Sequence, residues 1–445
     1  MPVNEPPVEI QNQRLSALLA ELKQREVRLW LDEGRLRCDA PKGAVSAELQ
    51  DQLRAHKEEI VALLRSGQRG EEVEEWAEDV VLSDSIQPDG PATTGTSSRI
   101  LLTGATGFLG GYLLKELLRQ TDAQVSCLVR ADNEDAARAR LPKSPASRVS
   151  IVLGDLSDDG LVLSEDVDLI LHNGAHVHHG LPYASLRAAN VFGTRRVIEM
   201  ACRRSIPLHF VSSLSVLPPV TAGGDERFLE TDAIEEVPAP RGGYNLSKWV
   251  AERLVAQAAE RGLPVTVYRP GPISGDSVTG AFNENDFLYR LMQGYLQSGM
   301  APDGEMPLDL LPVDYAAKAI VWLALNGSAT SELRRYHLLH PNSASSELLF
   351  EACQNAGLQI QRVPYDEWFQ HLSEIARSGD TGHALYPLVG LFSSRAGAPV
   401  PAEGERPPIP YDTSVTDAAL RDAPLGLPEL NAELFATYLK AMRNE

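Results

Sequence analysis

The fold turns on "RILLTGATGFLGGYLLKELL", Arg99–Leu118. A short apolar run, Ile100–Leu102, leads into a turn with glycines at 104, 107 and 110, followed by apolar residues at helical spacing. Glycines placed this way let backbone pass close to a phosphate, and the third lets the helix lie tight on its strand. The start of such a helix presents N–H groups and a positive dipole end to an anion. From Ile100 onward strand-like and helix-like stretches alternate, which predicts an α/β fold with a doubly wound parallel sheet.

The following strand ends refine the ligand. "VSCLVRADNED" closes its strand with Arg130, where an acid would hold the 2'-hydroxyl of NAD and an arginine suits a 2'-phosphate. The expected cofactor is therefore NADPH, with Arg140 a second candidate for the phosphate. "VSIVLGDLS" ends in Asp155, placed to contact the adenine, followed by Leu156. "VDLILHNGAHV" ends in Asn173, Gly174 and Ala175, small enough for a cofactor to lie along the strand tips. Within the glycine turn the expected contacts are Gly104, Thr106, Gly107, Phe108, Leu109 and Gly110.

Tyr244 and Lys248 in "GGYNLSKWVAERL" stand at i,i+4, one face of a helix. A phenol with its ordinary pKa near 10 is a weak proton donor at neutral pH, and an ammonium one turn away is expected to lower that pKa. The same lysine is placed to reach a nicotinamide ribose. "LHFVSSLSVL" offers Ser212 and Ser213 at a strand end, with Ser213 preferred as the hydroxyl that meets charge building on a carbonyl oxygen. His176, His178 and His179 form no metal-ligating set with carboxylates, and no metal is expected. Asp314 in "PVDYAAKA" is expected to cap the helix that follows it.

Taken together, TGATGFLG, NGA, SSLSV, YxxxK and "YRPGPISGD" resemble the extended short-chain dehydrogenase/reductase superfamily, a Rossmann-like fold. Within it, "CLVRA", "YNLSKWVAERLV", "RPGPISGDSVTGAFNENDFLYRLMQG" and "LLPVDYAAKAIVWLAL" resemble the thioester reductase domains that terminate nonribosomal peptide and polyketide assembly lines. The resemblance implies a catalytic triad of Ser213, Tyr244 and Lys248, although the first position is more often Thr there. It also implies that Pro270, Gly271 and Ile273 flank the nicotinamide and that Asn190 supports the active-site helix. NADPH-dependent reduction of a carrier-bound thioester to an aldehyde, and sometimes on to an alcohol, is the activity it implies. A sugar-nucleotide epimerase or reductase on the same scaffold, and a non-catalytic NADP-binding regulator, are the competing readings.

About a hundred residues precede this fold. Leu15, Leu18, Leu19 and Leu22 mark a helix face; "VRLWL" and "RLRC" around Asp32-Glu33-Gly34 predict a hairpin packed through Trp30. Ser46 is a candidate N-cap for the first of two further short helices, whose faces carry Leu49 and Leu53, then Ile60, Leu63 and Leu64. This stretch, and "RLWLDEGRLRCDAPKGA" above all, resembles the tubulysin-type N-terminal docking domain of nonribosomal peptide synthetases. That resemblance implies a small α+β module that binds the C-terminal tail of an upstream synthetase by strand addition. Arg28, Arg35 and Arg37 would favour an acidic tail. The expected partner is a phosphopantetheinylated carrier protein acting in trans, since no carrier is expected between docking segment and reductase. A homodimer through the docking domain is also entertained.

The expected boundaries are a docking domain at 1–66, a linker at 67–97, a cofactor-binding domain at 98–275 and a mainly substrate-binding region at 276–445. Acidic residues outnumber basic ones 61 to 41 over 445 residues, a formal charge of −20 that repels nucleic acid. With scattered cysteines, no secretory signal and no apolar run long enough to span a bilayer, the expectation is a soluble cytoplasmic protein without a membrane partner.

Overall fold

Arg28–Asp32 (β1) and Arg35–Asp39 (β2) pair antiparallel, with Leu29 opposite Cys38 and Leu31 opposite Leu36. In this computed structural model the residues described are 76–91, 98–145, 147–161, 167–178, 181–218, 227–327, 332–378, 382–392 and 411–443, with parts of 22–61 that include this hairpin. Leu22, Val27, Leu49 and Ile60 are buried together, with Leu29, Leu36, Cys38 and Leu53 packed against them. Leu15, Leu18, Leu19, Ser46, Leu63, Leu64, His179 and the Trp30 side chain lie outside the described residues.

The chain divides into two units. One comprises Met1–Glu75, Arg290–Asp303 and Ile360–Pro399; the other comprises Trp76–Tyr289, Gly304–Gln359 and Val400–Glu445. The stretch expected as one substrate-binding region, 276–445, is thus shared between them. In the first unit, Met300–Pro302 pairs parallel with Gln361–Val363, and Trp368 is fully buried among Tyr295, Tyr365 and Phe392.

The second unit is built on seven parallel strands, numbered on from the hairpin: Arg99–Thr103 (β3), Gln124–Val129 (β4), Val149–Leu153 (β5), Leu169–His172 (β6), Leu208–Val211 (β7), Val265–Pro270 (β8) and Arg334–Leu338 (β9). Their order is β9-β8-β7-β6-β3-β4-β5. Most read as near-continuous apolar runs because helices cover both faces of a parallel sheet. Phe108–Gln120 (α1), which follows β3, lies on one face. Tyr183–Arg187 (α3), Gly193–Arg204 (α4) and Gly243–Glu260 (α5) lie on the other. Between β4 and β5, Glu134–Ala139 (α2) is capped by Asn133, whose side chain accepts from the Ala136 N–H. The chain runs outward from β3 to β5, then returns to β6 beside β3. This reversal of direction is where doubly wound sheets open a crevice for ligands at the strand C-termini.

Part of the span expected as a linker, 67–97, packs on the second unit. Trp76–Gly90 is a strap fastened to the second unit. Trp76 meets Trp249 edge to face at 5.1 Å, and Val80, Leu82 and Ile86 are buried in the core of the α3–α5 face. Gln257 on α5 and Arg261 at its C-cap bond the strap's backbone, with Leu82 N–H donating to Gln257 Oε1 at 2.9 Å. Asp79 is buried and accepts from Tyr183 Oη at 2.7 Å and from the Arg187 guanidinium. Asp79→Ala should destabilise the protein by about 1–3 kcal/mol, because it strands a charged and a neutral donor. A denaturation midpoint equal to wild type would show that the Asp79 bonds contribute no stability.

Candidate active site

At the switch point the ends of β3 and β6 come close. Gly104 has φ +72°, and a Cβ there would sit 2.8 Å from the Cα of Gly174. Only glycine meets both demands. At Gly110 a Cβ would run into the Gly104 carbonyl, so α1 can lie this close to its turn only with glycine there. Asn173 Nδ2 donates to the Gly104 carbonyl at 3.4 Å, and Leu156 fills the space beside Gly174.

The residues present fit a dinucleotide. Gly107 is the N-cap of α1, carries no capping side chain, and the first turn through Phe108 and Leu109 holds no acid. The helix start therefore offers its N–H groups and dipole to a pyrophosphate, with Thr106 half-buried at the same turn. Arg130, just past β4, is largely exposed and faces the Asp155 carboxylate at 3.5 Å. Arg140, at the end of α2, donates to the Arg130 carbonyl. The two arginines and Asp155 thus gather at neighbouring strand ends. Asp155 also accepts from Ser157 N–H and Oγ, and these bonds with Arg130 hold its carboxyl below the usual range despite its burial.

On the other side of the switch point lies α5. Lys248 is buried and its Nζ donates to the Val211 carbonyl at 2.6 Å, over the Phe210 ring. Val211 ends β7, the strand that delivers the two serines. Adjacent strand residues point to opposite faces. Ser212 is turned inward, donating at 2.5 Å to the buried Glu252, while Ser213 is half-exposed and receives Ser215 N–H and Oγ. Gly271, past β8, packs beside Leu214 and donates to the Leu338 carbonyl; Pro270 ends β8, and Ile273 joins a short parallel pair with Leu311.

Tyr244 behaves differently from the expectation. Burial pushes its phenol up to about 12, and pushes the Lys248 ammonium down to about 7. Burial alone therefore keeps the phenol protonated at neutral pH, while the Lys248 ammonium bonds the end of β7. Asp314 is also corrected. The N-cap of Val313–Asn326 is Pro312, and Asp314, the second helical residue, accepts from Ser277 N–H and Oγ and from Lys318.

Asn190 sits in a π-helical turn, Ala188–Phe192, between α3 and α4. Its Oδ1 accepts from His176 N–H at 2.6 Å and its Nδ2 donates to Ser247 Oγ at 2.9 Å, one residue before Lys248. Sequence reasoning passed over two groups. Glu252 falls at i+8 from Tyr244 and i+4 from Lys248, a spacing that continues their helix face. It pairs with Arg269 at 2.5 Å, both side chains wholly buried. His172 immediately precedes the Asn173-Gly174-Ala175 segment and is buried between Thr103 and Thr194. Among the described residues no histidine, cysteine or carboxylate group forms a metal-holding cluster, and no helix is long and apolar enough to cross a membrane.

Two families match the sequence: "male sterility protein" over residues 102–320 and "TubC N-terminal docking domain" over 15–66. The chain is 38% identical to one of the linear gramicidin synthase subunits of Brevibacillus parabrevis, over 76% of its own length and 7% of that protein. It is 40% identical to an isonitrile lipopeptide synthase of Streptomyces coeruleorubidus, over 71% of its length and 22% of that protein. It therefore spans only a small part of these curated relatives. The crystal structure of the terminal R domain from the myxalamid PKS-NRPS pathway superposes with a TM-score of 0.72 at 37% identity, over 83% of this chain and 97% of that one. The chain belongs to the thioester reductase domains of the extended short-chain dehydrogenase/reductase superfamily. A reductase domain of a Mycobacterium tuberculosis synthetase, at 28% identity and TM-score 0.67, has the same fold.

Membership makes this reductase an oxidoreductase with a nicotinamide cofactor. The arginine pair bears on which one. Removing one charge-assisted contact to a phosphate costs about 1.5–3 kcal/mol, on the order of ten- to a hundredfold in affinity. Arg130→Ala should weaken NADPH by that factor and leave NADH within about twofold, read by fluorescence titration of both. A variant that keeps the wild-type preference would remove Arg130 from the phosphate site.

Proposed function

We propose that this protein reduces a carrier-bound peptidyl or acyl thioester with NADPH, releasing it as an aldehyde, and takes its substrate in trans from an upstream synthetase. What carries the reading is one arrangement: Ser213 half-exposed just past the end of β7, beside the helix that presents Tyr244 and Lys248, across the switch point from the glycine turn. When bound, the nicotinamide supplies a hydride for the thioester carbonyl carbon. Tyr244, protonated, gives its proton to the carbonyl oxygen as charge builds there, Ser213 gives a second hydrogen bond, and the resulting hemithioacetal breaks its C–S bond to release the aldehyde and the carrier thiol. Such donors act mainly on the transition state. Lys248 holds the end of β7 in register with α5 and contributes positive charge while protonated. The docking-domain match at 15–66 supports action in trans. Between the two matched segments, the described residues are the strap and the first strand of the sheet, with no carrier fold among them. The extended family also includes epimerases, but a docking segment has no use on a free sugar nucleotide.

Tyr244→Phe should leave NADPH affinity unchanged and lower kcat by roughly a hundred- to a thousandfold, the usual cost of one such donor. Because the Lys248 ammonium is lost as pH rises through about 7, kcat/KM should fall on the alkaline side of that value. Near-normal turnover in Tyr244→Phe, with the aldehyde product identified by mass spectrometry, would refute its role.

A carrier docked through residues 1–66 gains effective concentration, worth ~10²–10⁴ in apparent affinity. Arg35→Glu with Arg37→Glu should therefore raise KM for the carrier-bound substrate and leave kcat on small soluble thioesters unchanged. Equal damage to both substrates would make the hairpin a structural part of the reductase.

A further inference from the structure

Beneath the switch point runs a buried chain of hydrogen bonds whose direction can be read from its ends. Gly174 N–H donates to Thr103 Oγ1 at 2.8 Å, so that oxygen already accepts from backbone. Thr103 Oγ1 lies 2.7 Å from His172 Nδ1, and His172 Nε2 lies 3.0 Å from Thr194 Oγ1. Thr194 Oγ1 lies 2.6 Å from the Asn190 carbonyl, which can only accept, so the threonine spends its hydrogen there. Thr194 must then accept from His172, which puts the imidazole hydrogen on Nε2. Nδ1 is left as an acceptor, and Thr103 donates to it. Every group is satisfied in one direction only: Gly174 to Thr103 to His172 to Thr194 to Asn190.

Asn190 continues the path. Its Nδ2 donates to Ser247 Oγ, which donates to the Tyr244 carbonyl at 2.8 Å. All three relay side chains, Thr103, His172 and Thr194, are 0–1% exposed. Burial and the nearby Lys248 charge hold His172 down to about 3, so it stays neutral across the working range. A protonated ring would place two donors against Thr103 and leave the threonine hydrogen without an acceptor.

We infer that His172 is a positioning residue: as the Nε2–H tautomer, it couples the glycine turn between β3 and α1 to the helix that carries Tyr244. The consequence for turnover rests on the reductase reading above; the tautomer and the cofactor affinity are measured without substrate. Failure of this inference is thereby separable from failure of that reading.

The test uses the full-length protein. Two-bond 15N–1H correlation spectra of 15N-histidine-labelled wild type should show one ring, absent in His172→Gln, with Nδ1 unprotonated, Nε2 protonated, and no titration between pH 5 and 8. A Nδ1–H tautomer, a titrating ring, or no such ring would overturn the inference, even if His172→Gln fails to fold. Thr103→Val and Thr194→Val keep shape and remove each hydroxyl. Thr103→Val should weaken NADPH binding about tenfold, and Thr194→Val should lower kcat about tenfold with NADPH affinity within about twofold. Because both act through one ring, the double variant should lose less than the product of the single losses in kcat/KM. Effects that simply multiply, or single variants indistinguishable from wild type in both affinity and kcat, would show that the chain only fills the core.

Discussion

The approach of Gly104 to Gly174 is the contact on which the site depends. Two strand ends from opposite halves of the sheet must nearly touch for a cofactor to lie across them, and a side chain at either position would force them apart. That closeness lets the backbone N–H of Gly174 reach Thr103 across the gap. It also brings His172 beneath the glycine turn, where its ring can bond both neighbours. Local backbone freedom at one residue thus sets the spacing of a whole buried polar layer.

A second layer steadies α5 from below. Glu252 accepts from Ser212 and from Arg269, and Arg269 reaches His337, whose Nδ1 meets the Asp412 carbonyl at 2.8 Å. Arg269 donates to His337 Nε2, so His337 is neutral with its hydrogen on Nδ1, consistent with burial holding it down to about 4. Breaking such a buried pair from one side is costly, whereas its net worth against apolar replacements is small. Its effect here is directional. It assigns Ser212 inward, and strand alternation then assigns Ser213 outward.

Much of this was readable from residue order. The glycine spacing, the strand–helix alternation and the Tyr244/Lys248 pair depend on local periodicity, and the parallel sheet follows from them. Three things were not readable, for distinct reasons. His172 bonds residues 69 and 22 positions away, so its role has no local pattern. The strap's apolar residues, Val80, Leu82 and Ile86, follow no helical period and sit among acids and turn formers, so the residue order does not show where each one packs. The Tyr244 pKa is raised by burial, which depends on how the whole fold packs around α5 and not on the i,i+4 spacing to Lys248.

The strap also bears on how such an enzyme can be recombined. A designer swapping docking segments between assembly lines would naturally cut at the Gly/Pro/Ser/Thr-rich run before Arg99. That cut would carry away the tryptophan that meets Trp249 and the carboxylate that holds Arg187, exposing the back of α5. The joint between interchangeable parts lies upstream of Trp76, and the strap travels with the catalyst.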